Sequence, residues 1–219
     1  MDAHELGDEN RAMQHRPIAA TAAMLADPSR AAMVLALMDG RSRSAKKLAL
    51  DAGVTPQTAS AHLRKLVAAR MLIWQGHGRS KYFSLAGAEV AQAVEALNEI
   101  TVKQLPAAAR DLRFARCCYD HLAGQLGVAI TDRLLQPGNT ILANLKIVLE
   151  SSRRPLFRCC TDWTERRPHV AGALGAALLR MYLEQRWLVR VEDSRKLAVT
   201  PRGKDRFVRL LGVGSAVFA

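Results

Sequence analysis

Apolar positions at helical spacing open the chain's first regular stretch. Residues 18–26 carry Ile18, Ala22 and Leu25, and residues 30–38 carry Met33, Val34, Leu37 and Met38, so each segment predicts a short helix with one buried face. Asp27-Pro28-Ser29 separates them, its proline suited to a helix start. Gly40 ends the second helix, Ser44 caps a third over 45–51, and Gly53 breaks that one. Thr55-Pro56 then offers an N-cap followed by a first-turn proline for a fourth helix over 56–69. Along it Leu63, Leu66 and Val67 form the inward stripe, and Gln57, Thr58, Ser60, His62, Arg64 and Lys65 are polar. Past residue 71 the apolar period drops toward two. Leu72-Ile73-Trp74 and Lys81-Tyr82-Phe83-Ser84-Leu85 predict strands around the glycine-rich, basic loop 75–80. Two helices across the tight Ala52-Gly53-Val54 turn, followed by a hairpin, make a winged helix-turn-helix.

Beyond the wing, Val90–Leu105 predicts an amphipathic helix and Ala107–Leu135 one longer helix, with Gly124 or Gly127 as its break. The chain also repeats itself. At an offset of 116 residues, 61–87 aligns without a gap on 177–203, pairing Leu63 with Leu179, Arg70 with Arg186, Leu72 with Leu188 and Gly87 with Gly203. This predicts a second, winged-helix-like unit. Its helix start, Ala171 to Ala177, has no side chain able to pair with a base edge, which assigns the unit to packing, dimerisation or effector response. By the same offset, residues 160–167 fall opposite the third helix and are expected to be helical. The fold class is therefore mainly α with small β-wings. Its domains are a tail at 1–17, a winged helix-turn-helix with dimerisation helices at 18–105, and a helical, winged-helix-like effector or dimerisation domain at 106–219.

Charge narrows the partners. The 219 residues hold 32 Lys+Arg against 20 Asp+Glu, for a net +12, a field that attracts polyanions. The excess is densest in the first third: residues 18–86 have ten bases against three acids, whereas 1–17 are net acidic. Apolar runs such as Ala171 to Leu179 fall short of a membrane span, and residues 1–17 have no leader-like apolar run, so the expected location is the cytoplasm. In that setting duplex DNA is the natural partner. Thr55, Gln57, Thr58, Ser60, His62, Arg64 and Lys65 are the candidates for major-groove bases and flanking phosphates. Arg79 and Lys81 in the wing, with Lys46 and Lys47, are candidates for backbone contact. A nucleic-acid-binding architectural protein would share the charge without needing the polar helix start. An enzyme finds little support, since P-loop, GxSxG, HExxH and GxGxxG motifs are all missing from the sequence.

The segments LADPSRAAMVLALMDG and LALDAGVTPQTASAHLRKLVAARMLIWQGHGRSKYFSL together resemble the ArsR (ArsR/SmtB-like) winged-helix transcriptional regulators over residues 18–105. The C-terminal half is similar to a long-form subgroup with an Ala-Arg-x-Cys-Tyr-Asp-His-Leu-Ala-Gly segment, here at 115–124, and a Cys-x-Asp-Trp-x-Glu-Arg-Arg-x-His segment, here at 160–169. The resemblance implies a homodimeric regulator on an inverted-repeat operator, most often a repressor released by an effector. The helices at 18–26 and 88–105 are then the dimer faces. It also implies that Cys118 and Cys160 are the subgroup's usual cysteines and that Cys117 and Cys159 are additions. The metal-binding CxC of arsenic and cadmium sensors is absent: its place is taken by Ala45-Lys46-Lys47-Leu48-Ala49-Leu50.

Four cysteines stand as two adjacent pairs, Cys117-Cys118 and Cys159-Cys160. Three readings stay open for them: buried core thiols, a redox switch, or a soft metal or metalloid site. On a helix, Cys117 and His121 would share a face and, with a thiol from the other pair, make a thiolate-rich ion site. Trp163 is a candidate wall of a small-molecule effector pocket, and the charges around it have ion pairing as their plainer explanation. The effector-sensing candidates are thus Cys117, Cys118, His121, Cys159, Cys160 and Trp163, with all four cysteines as candidate metal ligands.

Overall fold

A computed structural model of the chain describes residues 18–78, 80–101, 111–145, 147, 149 and 154–218. The expected tail at 1–17 and Arg79 lie outside the described residues. The chain forms two compact units, one of the residues up to Leu37 with Arg41–Gly87, the other of Met38–Gly40 with Ala88 onward. Helix α5 therefore groups with the second unit, whereas the sequence reading put it with the winged unit.

The first unit holds α1 (Ile18–Leu25), α2 (Pro28–Ala36), β1 (Arg43–Ser44), α3 (Ala45–Asp51), α4 (Pro56–Ala68), β2 (Leu72–His77) and β3 (Ser80–Leu85). The predicted Ser44 and Thr55 caps form, and Asp27 supplies a third that the sequence reading did not name. The Asp27 carboxylate accepts from the Arg30 N–H, and the Ser44 and Thr55 hydroxyls accept from the Lys47 and Thr58 N–H groups. Each such cap is worth about 1 kcal/mol. Pro28 and Pro56 begin their helices, where no amide donor is needed. Gly53, at φ 63°, takes the left-handed conformation that lets α3 turn into α4. The three strands pair antiparallel in the order β1-β3-β2, with Leu72 opposite Leu85 and His77 opposite Ser80. Met33, Val34, Leu48, Leu63, Leu66, Leu72 and Leu85 are buried beneath them. This is a winged helix-turn-helix, as the sequence predicts.

The second unit runs α5 (Ala88–Thr101), β4 (Arg116–Cys118), β5 (His121–Ala123), α6 (Gln125–Leu134), α7 (Ile141–Leu145), β6 (Arg158–Thr161), β7 (Pro168–Ala171), α8 (Gly172–Glu184), β8 (Leu188–Arg190), β9 (Leu197–Val199), α9 (Pro201–Leu211) and a 3-10 turn, Ser215–Phe218. Two expectations fail here. Of the single helix expected over 107–135, residues 107–110 lie outside the described residues, and the rest holds a hairpin, β4–β5, followed by the short helix α6. The helix at 160–167 is also a hairpin, β6–β7, whose connection carries Trp163. In both places the chain turns back on itself, so that Cys118 faces His121 and Cys160 faces His169 across antiparallel pairs. The 116-residue repeat holds from α4 onward: α8 covers the residues that the offset assigns to α4. Arg70 and Arg186, related by it, both adopt positive φ, at 56° and 55°, just past their helices. The core of this unit is built on Tyr182, Trp187 and Phe207, whose rings lie 5.1–5.5 Å apart. Among the described residues, no single helix is long and apolar enough to cross a membrane.

Candidate functional site

The face of α4 that points away from its core is polar and exposed. Gln57, Thr58, Ser60, Arg64 and Lys65 stand on it, while Ala59, Leu63 and Leu66 face inward. Thr55 is exposed as well, and its hydroxyl also bonds that of Thr58, at 3.0 Å. The Ser60 hydroxyl donates back to the Pro56 carbonyl at 2.8 Å. Lys46 at the start of α3 is exposed. In the wing, the Lys81 ammonium sits 4.3 Å from the centre of the half-exposed Trp74 ring. A groove of about 760 Å³ between α4 and the hairpin is lined by Ser60, Arg64, Trp74, Lys81 and Tyr82 among others. This surface offers hydrogen-bonding side chains on a helix beside a basic hairpin, the form that enters a major groove.

Two candidates behave differently. The His62 side chain is only 14% exposed and lies 3.4 Å from the Arg30 guanidinium and 4.0 Å from Asp27, so it fastens α4 to the start of α2. Lys47 pairs with Asp51 at 2.9 Å, one turn along α3, so part of its charge is already matched.

In the second unit, Cys118, His121, Cys160 and His169 are all buried, and their ligating atoms lie within 4.8 Å of one another. The two sulfurs are 4.0 Å apart and the two imidazoles stack with centroids 5.1 Å apart. Each Cys–His couple is a directly opposed cross-strand pair, near enough for the side chains to meet. Asp120 bonds His121 Nδ1 at 3.1 Å and is itself paired with Arg154. Asp162 lies 3.7 Å from His169 Nδ1 and accepts from the buried Arg116 at 3.1 Å and from the Gly124 N–H at 2.6 Å.

These surroundings move the acids and thiols. Hydrogen bonding to Cys160 and burial push the Cys118 thiol up, and the bond from Cys118, with the two imidazoles, pulls Cys160 well below the ordinary thiol range. Burial works against charge on His121, but Asp120 and Cys160 outweigh it and raise its pKa. Burial likewise opposes ionisation of Asp162, yet Arg116, the Thr164 hydroxyl and the Gly124 N–H hold it down at about 2.

The N-terminal unit falls within a known domain family: residues 25–73 match the helix-turn-helix domain family. Over 220 aligned residues the chain is 40% identical to the HTH-type transcriptional regulator YdfF of Bacillus subtilis (strain 168), covering 90% of this chain and 97% of that protein. The chain belongs to the HTH-type transcriptional regulators. Among solved structures, NolR from Sinorhizobium fredii shares 23% identity and a TM-score of 0.38, covering 42% of this regulator and 91% of that chain. The homodimeric winged helix-turn-helix DNA-binding domain of Mb0332 from Mycobacterium bovis shares 24% and 0.39, covering 44% and 88%.

The regulator's cysteines are divided by the alternation of its strands. Cys118 and Cys160 enter the cluster. Cys117, one residue from Cys118 on β4, points the other way into the main core and accepts from Arg190 Nη1 at 3.2 Å. Cys159 is exposed. The expected Cys117–His121 helix face does not exist, because β4–β5 places His121 opposite Cys118 instead. Trp163 is buried under the Arg116 guanidinium, 5.0 Å from its ring centre. The cavity between Leu122, Gly127, Val170 and Gly175 is about 10 Å³, room for one water at most.

His169 was missing from the candidate set. A second internal repeat would have found it: His-Leu-Ala-Gly-Gln-Leu-Gly at 121–127 and His-Val-Ala-Gly-Ala-Leu-Gly at 169–175 share five of seven residues at an offset of 48. In each copy the second glycine is equally tight: a Cβ on Gly127 would meet the Leu122 carbonyl, and one on Gly175 the Val170 carbonyl, both at 2.6 Å.

Proposed function

We propose that this regulator is a homodimeric, cytoplasmic repressor of the ArsR type, which binds an inverted-repeat operator and releases it when an effector engages the Cys118–Cys160 pair. The observation that carries the DNA reading is the exposed polar face of α4 beside the Lys81 wing. Gln57, Thr58 and Arg64 are the base-reading candidates. Lys46, Lys65, Lys81 and Arg79 are assigned to phosphate. His62 is assigned to holding the recognition helix in place.

Dimerisation is supported by apolar side chains left on the surface of two helices: Ile18 on α1, and Leu97 and Ile100 on α5. One winged unit reads only a few base pairs, so a two-fold pair on a symmetric site supplies the specificity. The effector reading is supported by the buried, closely spaced thiols of Cys118 and Cys160.

Fluorescence anisotropy on duplex DNA from immediately upstream of the regulator's own gene tests both parts. Binding weakened tenfold or more by diamide or by Cd²⁺ in the wild type, and insensitive in Cys160→Ser, is the expected result. Affinity that no addition changes would remove the effector half, and equal affinity for scrambled DNA would remove the operator half.

A further inference from the structure

We infer that Cys118, His121, Cys160 and His169 form a closed, tetrahedral site for a thiophilic divalent ion of the zinc class. The geometry is close to what such an ion requires. Two thiolates bound at ~2.3 Å on a tetrahedral centre lie about 3.8 Å apart, and the Cys118 and Cys160 sulfurs are 4.0 Å apart. The largest separation in the set is 4.8 Å, so closing on the ion draws the side chains inward by roughly an ångström or less.

The imidazoles point to the same conclusion. His121 gives its Nδ1 to Asp120, which leaves Nε2 as the free lone pair, and that buried atom has no hydrogen-bond partner among the described residues. In His169, wholly buried, neither ring nitrogen has one. Leaving such atoms unmatched costs about 1–3 kcal/mol each in a protein interior, and an ion at the centre takes up one nitrogen of each ring. The carboxylates stand where outer partners of metal-bound histidines stand, Asp120 on His121 and Asp162 facing His169 Nδ1.

Charge and ligand type choose the ion. Asp120 and Asp162 are already matched by Arg154 and Arg116, so two thiolates exactly offset one divalent charge in a site walled by Ala123 and Ala171. Two sulfurs and two nitrogens suit zinc or its soft neighbours and not the oxygen-seeking calcium or magnesium. With four protein ligands no coordination position is left for substrate, so the ion joins hairpins β4–β5 and β6–β7 and catalyses nothing. A disulfide is the weaker reading of the same sulfurs: it would need them at about 2.05 Å and would leave both imidazoles unmatched.

This deepens the effector reading above by naming an ion class, but it is tested without DNA. Full-length protein, reduced and stripped with a chelator, is titrated with Co²⁺ and followed by visible absorption. One equivalent is expected to saturate an intense tetrahedral ligand-field band with a thiolate-to-cobalt charge-transfer band, and one equivalent of Zn²⁺ to bleach both. Cys160→Ser and His169→Gln are expected to weaken binding a hundredfold or more, Asp120→Asn about tenfold, and Cys159→Ser not at all. A folded wild-type chain, checked by circular dichroism, that gives no tetrahedral spectrum overturns the site. So does a spectrum that survives both ligand substitutions unchanged. Cobalt binding of the expected kind in a chain that binds no operator would keep this site and sink the repressor reading alone.

Discussion

His121 and His169, 48 residues apart, stack at 5.1 Å with their rings inclined by 27°, and each begins a copy of the same seven-residue pattern. Each lies across a strand pair from a cysteine, and each is followed by a glycine at positive φ, Gly124 at 86° and Gly172 at 77°, from which a helix departs. The second unit thus brings together two similar hairpin–helix pieces, and the four buried ligating atoms sit where the hairpins meet.

The glycines of that pattern are expected to tolerate no side chain. Gly127→Ala or Gly175→Ala places a Cβ 2.6 Å from a main-chain carbonyl that cannot move aside, which costs about 1–3 kcal/mol in overpacking. Gly214→Ala, with open space around it and no positive φ, is expected to be neutral. Urea midpoints of the three variants decide this, and equal midpoints would contradict it.

Asp162 is expected to give the second unit a distinct acid dependence. Its folded pKa, about 2, lies below the ordinary value of 3.8. A depressed carboxylate stabilises the fold above its unfolded pKa and loses that contribution as pH falls through the folded one, so the window is roughly pH 4 to 2. Asp162→Asn is expected to cost about 3 kcal/mol at neutral pH, because the buried Arg116 loses its nearer carboxylate, at 3.1 Å, and keeps only Glu95 at 3.8 Å. The difference from wild type in urea should shrink as pH falls through that window. A difference independent of pH would show that Asp162 does not act through its charge.

Thiol reactivity should separate the cysteines. Cys159 is exposed and the other three are buried, so a disulfide reagent added to the native protein is expected to modify one thiol per chain quickly. Cys159→Ser removes that fast phase. Fast modification of Cys118 or Cys160 in the folded chain would mean that the hairpins open readily.

On the DNA face, Gln57→Ala is expected to cost about 1–3 kcal/mol of operator affinity and to relax discrimination at one position. Lys46→Ala should weaken binding to all sequences alike and lower the salt slope by about one. His62→Ala should instead lower the urea midpoint, since it loses its contacts with Arg30 and Asp27, and leave base preference unchanged. A shift in base preference in that variant would return His62 to the groove.

The winged unit was legible because its signals are local: the Ser44 and Thr55 caps, Pro28 and Pro56, and a clear change of period at residue 72. The α8–β8–β9 unit was legible through its 116-residue offset, down to the paired conformations of Arg70 and Arg186. The cluster was legible only in part. Strands of three or four residues are too short to show alternation, so Cys117 and His121 were read at helical spacing. The β4–β5 turn rests on Tyr119 at φ 62°, a conformation that residue rarely adopts and that tertiary contact supplies through the Met38 carbonyl. The 42-residue separation of Cys118 and Cys160 leaves no local trace, although the repeated His-x-Ala-Gly-x-Leu-Gly does mark both histidines.

The central claim, that this chain recognises a particular DNA sequence through α4, is tested most directly by a specificity ratio. Labelled duplex from upstream of its own gene and a scrambled duplex of equal length are titrated at one fixed salt concentration with wild type and with Gln57→Ala/Arg64→Ala. The expected result is a preference of about a thousandfold or more for the upstream duplex, lost in the double variant. Equal affinity of the wild type for both duplexes would contradict the claim.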